Sequence, residues 1–330
     1  MIVRALPFLL PFVLLGAAPV PRESAPPPAF FAALRAADLR LATIAYRLTT
    51  GNAALCDRLQ PQFGMPIHAL TQYGAAARPT ARAVFGFASA IGVEGVVAGG
   101  PAARAGVRAD DSIVAIDGRA QPGLSSRTDG PADRDAAEAQ FAGAAPTAAV
   151  VLSVLRDGLR RELSVTPVAG CRSRFEILLG SGLGAGADGA IVQIGERFFQ
   201  GYDDQAIAVI VAHELAHNIL RHRARLDAAK VDDGLLAELG RNGRLIRQTE
   251  DEADQLGVYL LANAGYDPMA APKFWREKGR DIDGGLFRSR THASSKARAA
   301  VLEPIASEIA ATRTRPIVPA ILATRDMPLR

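Results

Sequence analysis

The sequence predicts an α+β fold, with a small strand-rich segment in the middle of the chain and a largely helical part after it. Apolar side chains recur at helical spacing through residues 206–222, and Asp203 is placed to cap that helix. Residues 150–155 and 162–168 read instead as two strands joined by a short turn. The 330 residues, 49% of them hydrophobic, are enough for two domains with cores of their own.

A His-Glu-Leu-Ala-His motif lies inside the predicted helix, at residues 213–217. His213 and His217 are four residues apart, so both imidazoles lie on one side of the helix, where one zinc ion could hold both. Glu214 lies beside the metal position but points in a different direction, as a general base for a metal-activated water molecule should. His213 and His217 are therefore candidate metal ligands, and Glu214 is a candidate catalytic residue.

A catalytic zinc ion usually has three protein ligands, so a third donor is needed. The pattern with a further histidine six residues after the second is excluded, because that position is Arg223 and His222 comes one residue early. We expect His222 to have a helix-end or packing role. Glu250 and Asp254, four apart on a later helix, offer the alternative. Glu250 would ligate the metal, and Asp254 would accept a hydrogen bond from a ligand imidazole.

The HExxH motif and the later E-x-E-A-D-x-x-G motif at residues 250–257 together resemble the HtpX/CAAX-prenyl-protease-like family of zinc metallopeptidases. The likeness is greatest to its soluble BepA-like and Oma-like branch. Gly-Tyr-Asp-Pro at residues 265–268 and Thr-His-Ala-Ser at residues 291–294 extend it, so that it covers about residues 175–309. The resemblance implies a mostly helical zincin-type (gluzincin) metallopeptidase domain over residues 172–330, with one Zn²⁺ per chain.

The same resemblance suggests roles for residues around the cleft. His292 would approach the open side of the metal and polarise a substrate carbonyl, or occupy the metal at rest; the alternative is an ordinary loop histidine. Arg298 would support the site by orienting that loop. Residues 190–194 are a strand candidate, expected to be the sheet edge that lines the cleft and pairs with extended substrate, after a flexible glycine-rich run at 180–186.

The middle segment, residues 80–168, resembles a PDZ domain. Residues 95–107 match the strand and short helix of bacterial PDZ modules, and residues 110–118 match the G-D-x-I-x-x-I-D-G run. Asp110 stands where that run has glycine. Because aspartate tolerates the left-handed conformation better than most residues, we expect the turn to form.

A PDZ module binds a peptide end by strand addition beside a helix-lined groove, while backbone amides hold the terminal carboxylate. The resemblance makes Phe85, Gly86 and Phe87 the candidate peptide-binding loop. Residues 136–141 are the candidate groove helix, within a long alanine-rich stretch. The module would either bind peptides or only brace the catalytic part.

The N-terminus has the pattern of a cleavable signal peptide. Arg4 gives a short positive start, the apolar run 5–15 follows, and small residues come next. We assign residues 1–24 to a signal peptide and linker and predict a periplasmic or secreted protein. Ala17 stands where a lipoprotein signal would have cysteine, so we expect no lipid anchor. The apolar run is too short for a comfortable span, so no stable membrane span is expected in the mature chain.

Residues 28–58 are expected to form an N-terminal helix that packs on the body of the protein, since residues 30–48 carry an apolar stripe. Cys56 and Cys171 lie on either side of the complete middle segment. In an oxidising compartment they could form a disulfide that ties the base of this segment; two unpaired thiols are the alternative.

Composition narrows the function. The formal net charge is +4, but the arginines are dispersed and are not interleaved with aromatic residues, so nucleic acid is not an expected partner.

We expect a zinc-dependent endopeptidase of the cell envelope that hydrolyses extended or misfolded polypeptides, including envelope or outer-membrane proteins. The alternative is a PDZ-based chaperone or assembly adaptor with little or no catalysis. No sequence pattern specifies an oligomeric state.

Overall fold

A computed structural model describes residues 25–126, 129–231, 240–282 and 294–330. The predicted signal peptide and the candidate residue His292 lie outside these residues. Helix α1 (Pro28–Gly51) begins with proline at a first-turn position, where the missing N–H is no loss. Its side chains Leu41, Ile44 and Leu48 are buried against the helical part of the chain, as the apolar stripe predicted.

The strand-rich segment forms one sheet with the strand order β2-β3-β4-β6-β7, and β5 pairs with β4. Its elements and those leading into it are β1 (Leu59–Gln62), β2 (Ile67–Ala69), α2 (Arg78–Phe85), β3 (Ile91–Val93), α3 (Pro101–Arg104), β4 (Ser112–Ile116), β5 (Arg119–Ala120), α4 (Ala132–Ala142), β6 (Val150–Arg156) and β7 (Leu159–Val165). Because β2 belongs to this sheet, the predicted domain start at residue 80 is too late. The sequence signal of β2 is weak, since the strand is short and lies in a proline- and glycine-containing stretch.

Two turns of this sheet contain residues with positive φ. Asp110 has φ +68°, so the left-handed turn forms with aspartate in place of glycine, as expected. Asp157 and Gly158 both have positive φ, which suits the two-residue hairpin between β6 and β7. Asp110 also forms an ion pair with Arg35 of α1, so this turn contacts the N-terminal helix.

The remaining elements are β8 (Val168–Cys171), β9 (Arg174–Leu178), β10 (Ala185–Ala187), β11 (Ile191–Gly195), α5 (Arg197–Gly201), α6 (Asp204–Ile219), α7 (His222–Ala228), α8 (Gly240–Asn263), α9 (Ala270–Glu277), α10 (Gly279–Ile282), α11 (Ser295–Ala311) and a 3₁₀ segment (Ala320–Asp326). Strand β1 comes just before the sheet of the strand-rich segment and pairs with β8, which comes just after it. Helices α6, α8, α9 and α11 share one hydrophobic core with α1.

The three-stranded sheet beside the helices has the order β10-β11-β9. The predicted strand at residues 190–194 corresponds to β11, but β11 is central and cannot be the edge strand that was expected. The edges are β9 and β10, and β10 begins at the end of the glycine-rich run. That run packs on β11, because Gly195 N–H donates to the Gly184 carbonyl at 2.8 Å. The close approach depends on Gly195, where an added Cβ would lie 2.2 Å from the Gly182 carbonyl oxygen. Within the run, Gly180 and Gly182 have positive φ, which suits glycine.

Cys56 and Cys171 are joined by a disulfide, with their Cα atoms 5.4 Å apart. The bond lies next to the β1–β8 pairing, at the base of the strand-rich segment. Among the residues that the structure describes, no helix has both the length and the apolar character needed to cross a bilayer.

Candidate metal centre and peptide groove

Helix α6 begins where the sequence predicted. The Asp203 carboxylate accepts a hydrogen bond from Ala206 N–H at 2.8 Å, which caps the helix. The helix ends at Ile219, earlier than expected, because Arg221 adopts a left-handed conformation with φ +56°. His222 therefore begins a separate helix, α7, and does not continue α6.

Three donors from α6 and α8 converge on one point. His213 Nε2 lies 3.1 Å from His217 Nε2 and 3.2 Å from Glu250 Oε2. His217 Nε2 lies 3.6 Å from Glu250 Oε1. One ligand atom from each of the three residues lies within 4.8 Å of the others. Zinc–nitrogen and zinc–oxygen bonds of roughly 2.0–2.2 Å place tetrahedral ligand atoms about 3.3 Å apart, so this donor set fits a zinc ion.

The convergence point opens into a cavity of about 280 Å³. Glu214 lines this cavity together with the three donors, although the side chain is only 9% exposed. The opposite wall includes Ala185, Gly186 and Ala187 of the edge strand β10. A candidate metal position, an acidic side chain and the edge strand β10 thus border the same space.

Asp254 supports the first ligand. His213 Nδ1 lies 3.0 Å from Asp254 Oδ1, and both carboxylate oxygens of Asp254 accept from Arg298, at 2.6 Å from Nε and 2.5 Å from Nη2. The Arg298 guanidinium also stacks on the Trp275 ring, 3.3 Å from its centroid. Asp254 stands where the sequence suggested, and Arg298 reaches the site by bonding Asp254.

The charges favour a cation at this point. Burial lowers the pKa of the His213 imidazole, but hydrogen bonds to Asp254 and Glu250 outweigh it and raise that pKa to about 10. Burial raises the pKa of Asp254, but Arg298 and His213 reverse the effect and bring that pKa below its usual value. The buried carboxylates thus stabilise a proton on the ligand imidazole. A bound divalent cation displaces such protons from its ligands.

Sequence reasoning missed the surroundings of His222. This side chain is 1% exposed and lies behind the second ligand, with its Nδ1 atom 2.9 Å from His217 Nδ1. Its Nε2 atom lies 3.1 Å from Glu252 Oε2. Glu252, which lies between Glu250 and Asp254 on α8, also accepts a hydrogen bond from Arg225. Glu252, two positions after Glu250, was the sequence feature that could have indicated a partner for His222.

The predicted peptide-binding loop is wrong. Phe85 and Phe87 are 1% and 3% exposed and pack with Phe31 and Tyr73 in an aromatic cluster under α1. Gly86 has φ +63° and ends α2. Phe85 and Phe87 form part of a hydrophobic core, and none of the three loop residues lines the cavity beside α4.

A groove of about 680 Å³ lies elsewhere, between β2 and α4. Pro66 O accepts from Glu94 N–H and Leu70 N–H donates to Ala90 O, at the two ends of β3. Because backbone groups alternate along a strand, those of Ile67 point the other way, toward the groove. Helix α4 contains the predicted groove residues 136–141. Phe63, Met65, Glu138 and Phe141 contribute to the walls, which α1 and β9 complete.

Part of the strand-rich segment matches a known family of domains. Residues 92–152 match the family model described as PDZ domain. The chain therefore contains a PDZ domain. A solved structure, HtrA-type protease AlgW with decapeptide, is 26% identical and covers 34% of this chain and 30% of its own, with a TM-score of 0.26.

Two curated relatives carry the name Mitochondrial metalloendopeptidase OMA1. The protein from Schizosaccharomyces pombe is 31% identical over 121 residues, covering 30% of this chain and 36% of the relative. The protein from Arabidopsis thaliana is 30% identical over 122 residues, covering 30% of this chain and 24% of the relative. The chain thus spans about a third or less of the length of these relatives.

Proposed function

We propose that this protein is a zinc-dependent endopeptidase. The observation that carries the proposal is the convergence of His213, His217 and Glu250 within 4.8 Å, on a cavity that Glu214 also lines. Three protein ligands with an open fourth position are typical of catalytic zinc, whereas structural zinc sites are closed by four. The similarity to proteins named metalloendopeptidase supports the same class of reaction.

Each group at the site has a separate role in this proposal. Zinc bound by the three donors would polarise the substrate carbonyl and acidify a water molecule. Glu214 accepts the proton of the attacking water and passes it to the leaving amine. The open edge of β10 holds an extended substrate backbone across the cavity, which tolerates many side chains. Asp254 keeps the His213 ring in the tautomer that presents Nε2 to the metal.

The PDZ groove is the second recognition element in this proposal. An extended peptide can add to the edge of β2 beside α4. Gly189 lines both the groove and the metal cavity, so a polypeptide held in the groove lies close to the place of cleavage. The proposed substrates are accordingly unfolded or extended polypeptides of the cell envelope. The disulfide Cys56–Cys171 and the signal-like N-terminus support an oxidising, periplasmic or secreted location.

The test is digestion of an unfolded protein such as casein by the purified chain, with and without a chelator. Glu214→Gln, purified in the same way, is the matched control for contaminating proteases. We expect digestion that stops with chelator, returns with zinc and is lost in Glu214→Gln, which still binds zinc. Equal digestion by Glu214→Gln would remove the proposed base. Tight binding of unfolded chains without any digestion would favour the adaptor function.

A further inference from the structure

The two imidazoles that would hold the metal are supported differently. His213 Nδ1 contacts a carboxylate directly, at 3.0 Å from Asp254 Oδ1. His217 Nδ1 contacts another imidazole instead, at 2.9 Å from His222 Nδ1. In metal sites the nitrogen that does not bind the metal normally donates its hydrogen to an acceptor, which fixes the orientation of the ring. The contact with His222 therefore needs an explanation in terms of hydrogen positions.

Only one assignment of hydrogens satisfies this contact. His217 Nε2 faces Glu250 and His213, which is the metal position, so His217 carries its hydrogen on Nδ1. His222 Nδ1 must then be the acceptor, because two N–H groups cannot share one hydrogen bond. A neutral His222 with a bare Nδ1 carries its hydrogen on Nε2. That atom lies 3.1 Å from Glu252 Oε2, which accepts it.

Glu252 is held as an ionised acceptor by its other partners. Arg225 Nη1 donates to Oε2 at 2.5 Å, and Gln248 Nε2 donates to Oε1 at 2.8 Å. Glu252 is 7% exposed and Arg225 is 7% exposed, so the pair is shielded from water. The hydrogen bonds all run in one direction and end on this carboxylate.

We propose that His222 is a positioning residue for His217, which it holds through a relay that ends on the buried Glu252–Arg225 pair. The inference rests on the proposed metal site. Both ligand imidazoles are then supported by a buried carboxylate–arginine pair. His213 contacts the Asp254–Arg298 pair directly, whereas His217 is connected to the Glu252–Arg225 pair through the ring of His222. Loss of such a supporting group typically weakens metal binding by about 10- to 100-fold.

The test is cobalt binding, because Co²⁺ replaces zinc and its visible spectrum reports the geometry of the ligands. His222→Ala removes the acceptor, whereas His222→Asn keeps an oxygen near the place of Nδ1. His68→Asn is the matched control, since His68 is also buried and lies in strand β2, which does not line the metal cavity. We expect about 10- to 100-fold weaker Co²⁺ binding and an altered spectrum for His222→Ala. Binding should be largely restored in His222→Asn and unchanged in His68→Asn.

Melting of the metal-free proteins separates positioning from simple packing, since a packing role would lower the melting temperature and leave the Co²⁺ spectrum and affinity unchanged. If His222→Ala does not fold, Glu252→Gln provides the second variant, with weaker Co²⁺ binding expected. Wild-type affinity and spectrum in the His222 variants, or equal losses in His222→Ala and His222→Asn, would overturn the relay. Failure of the wild-type chain to bind Co²⁺ or zinc would instead overturn the proposed function itself.

Discussion

The ion pair between Arg298 and Asp254 can be tested by replacing Arg298 with leucine. Arg298 is 6% exposed and Asp254 is 8% exposed, and two hydrogen bonds of 2.6 and 2.5 Å join them. Removing the guanidinium leaves a buried carboxylate without its counter-charge, which costs about 3–5 kcal/mol of unfolding free energy. Loss of the stacking on Trp275 adds up to about 2 kcal/mol. We therefore expect Arg298→Leu to lose at least about 3 kcal/mol.

Urea unfolding in the presence of a chelator measures this loss without the contribution of bound metal. The double variant Asp254→Asn/Arg298→Leu removes both charges but keeps an acceptor for His213, so it should recover much of the stability. Arg276→Leu is the control, because its ion pair with Glu303 is exposed and should contribute less than about 1 kcal/mol. A loss below 1 kcal/mol in Arg298→Leu, or a double variant no more stable than the single, would refute the reasoning.

Three further predictions follow from other parts of the fold. The disulfide closes a loop of 115 residues, so Cys56→Ala/Cys171→Ala should lose on the order of 5 kcal/mol in urea unfolding, and wild-type protein in reductant should lose a similar amount. Burial raises the pKa of Asp38 to about 6, although the hydrogen bond with Glu94 lowers it in part. The folded state then retains a proton that the unfolded chain releases near pH 4, so stability falls between about pH 4 and pH 6, and Asp38→Asn should remove on the order of 2 kcal/mol of that fall. Arg174 joins β9 to α4 through 2.9 Å contacts with acidic residues of α4, so Arg174→Met should lower amide-exchange protection in α4 while α6 stays protected.

The sequence was sufficient for features that depend on local chemistry. The cap at Asp203, the helical spacing of His213 and His217, and the face shared by Glu250 and Asp254 all follow from residues close in sequence. The left-handed turn at Asp110 is of the same kind. Each of these depends on one element, so that no long-range contact has to be known.

The features that were missed depend on contacts between distant parts of the chain. Arg221, just after α6, has a left-handed backbone conformation that is unfavourable for arginine. It forms ion pairs with Asp57 and Asp326, which are distant from it in sequence. Without those partners the break before His222 cannot be foreseen, and neither can the relay to His217. The edge position of β10 likewise follows only from its pairing with β11.

The peptide-binding loop was predicted at the wrong place for a related reason. Phenylalanine-glycine pairs occur at both residues 63–64 and residues 85–86, and either could begin a carboxylate-binding loop. The structure distinguishes them because β2 pairs with β3, which places the first pair beside the groove. Phe85 of the second pair, together with Phe87 just after it, fills a core under α1. The two pairs therefore differ in their strand pairing and cannot be distinguished by the local sequence pattern.

The central claim is that two histidines and one glutamate from two helices hold a single zinc ion with an open position. The most direct measurement is zinc X-ray absorption on the purified full chain, together with the zinc content of the wild type and of Glu250→Gln. We expect one zinc per chain with two imidazole nitrogens and a carboxylate oxygen at roughly 2.0–2.2 Å, and much weaker zinc binding in Glu250→Gln. A protein that acquires no zinc, or that binds it equally well without the Glu250 carboxylate, would contradict the account.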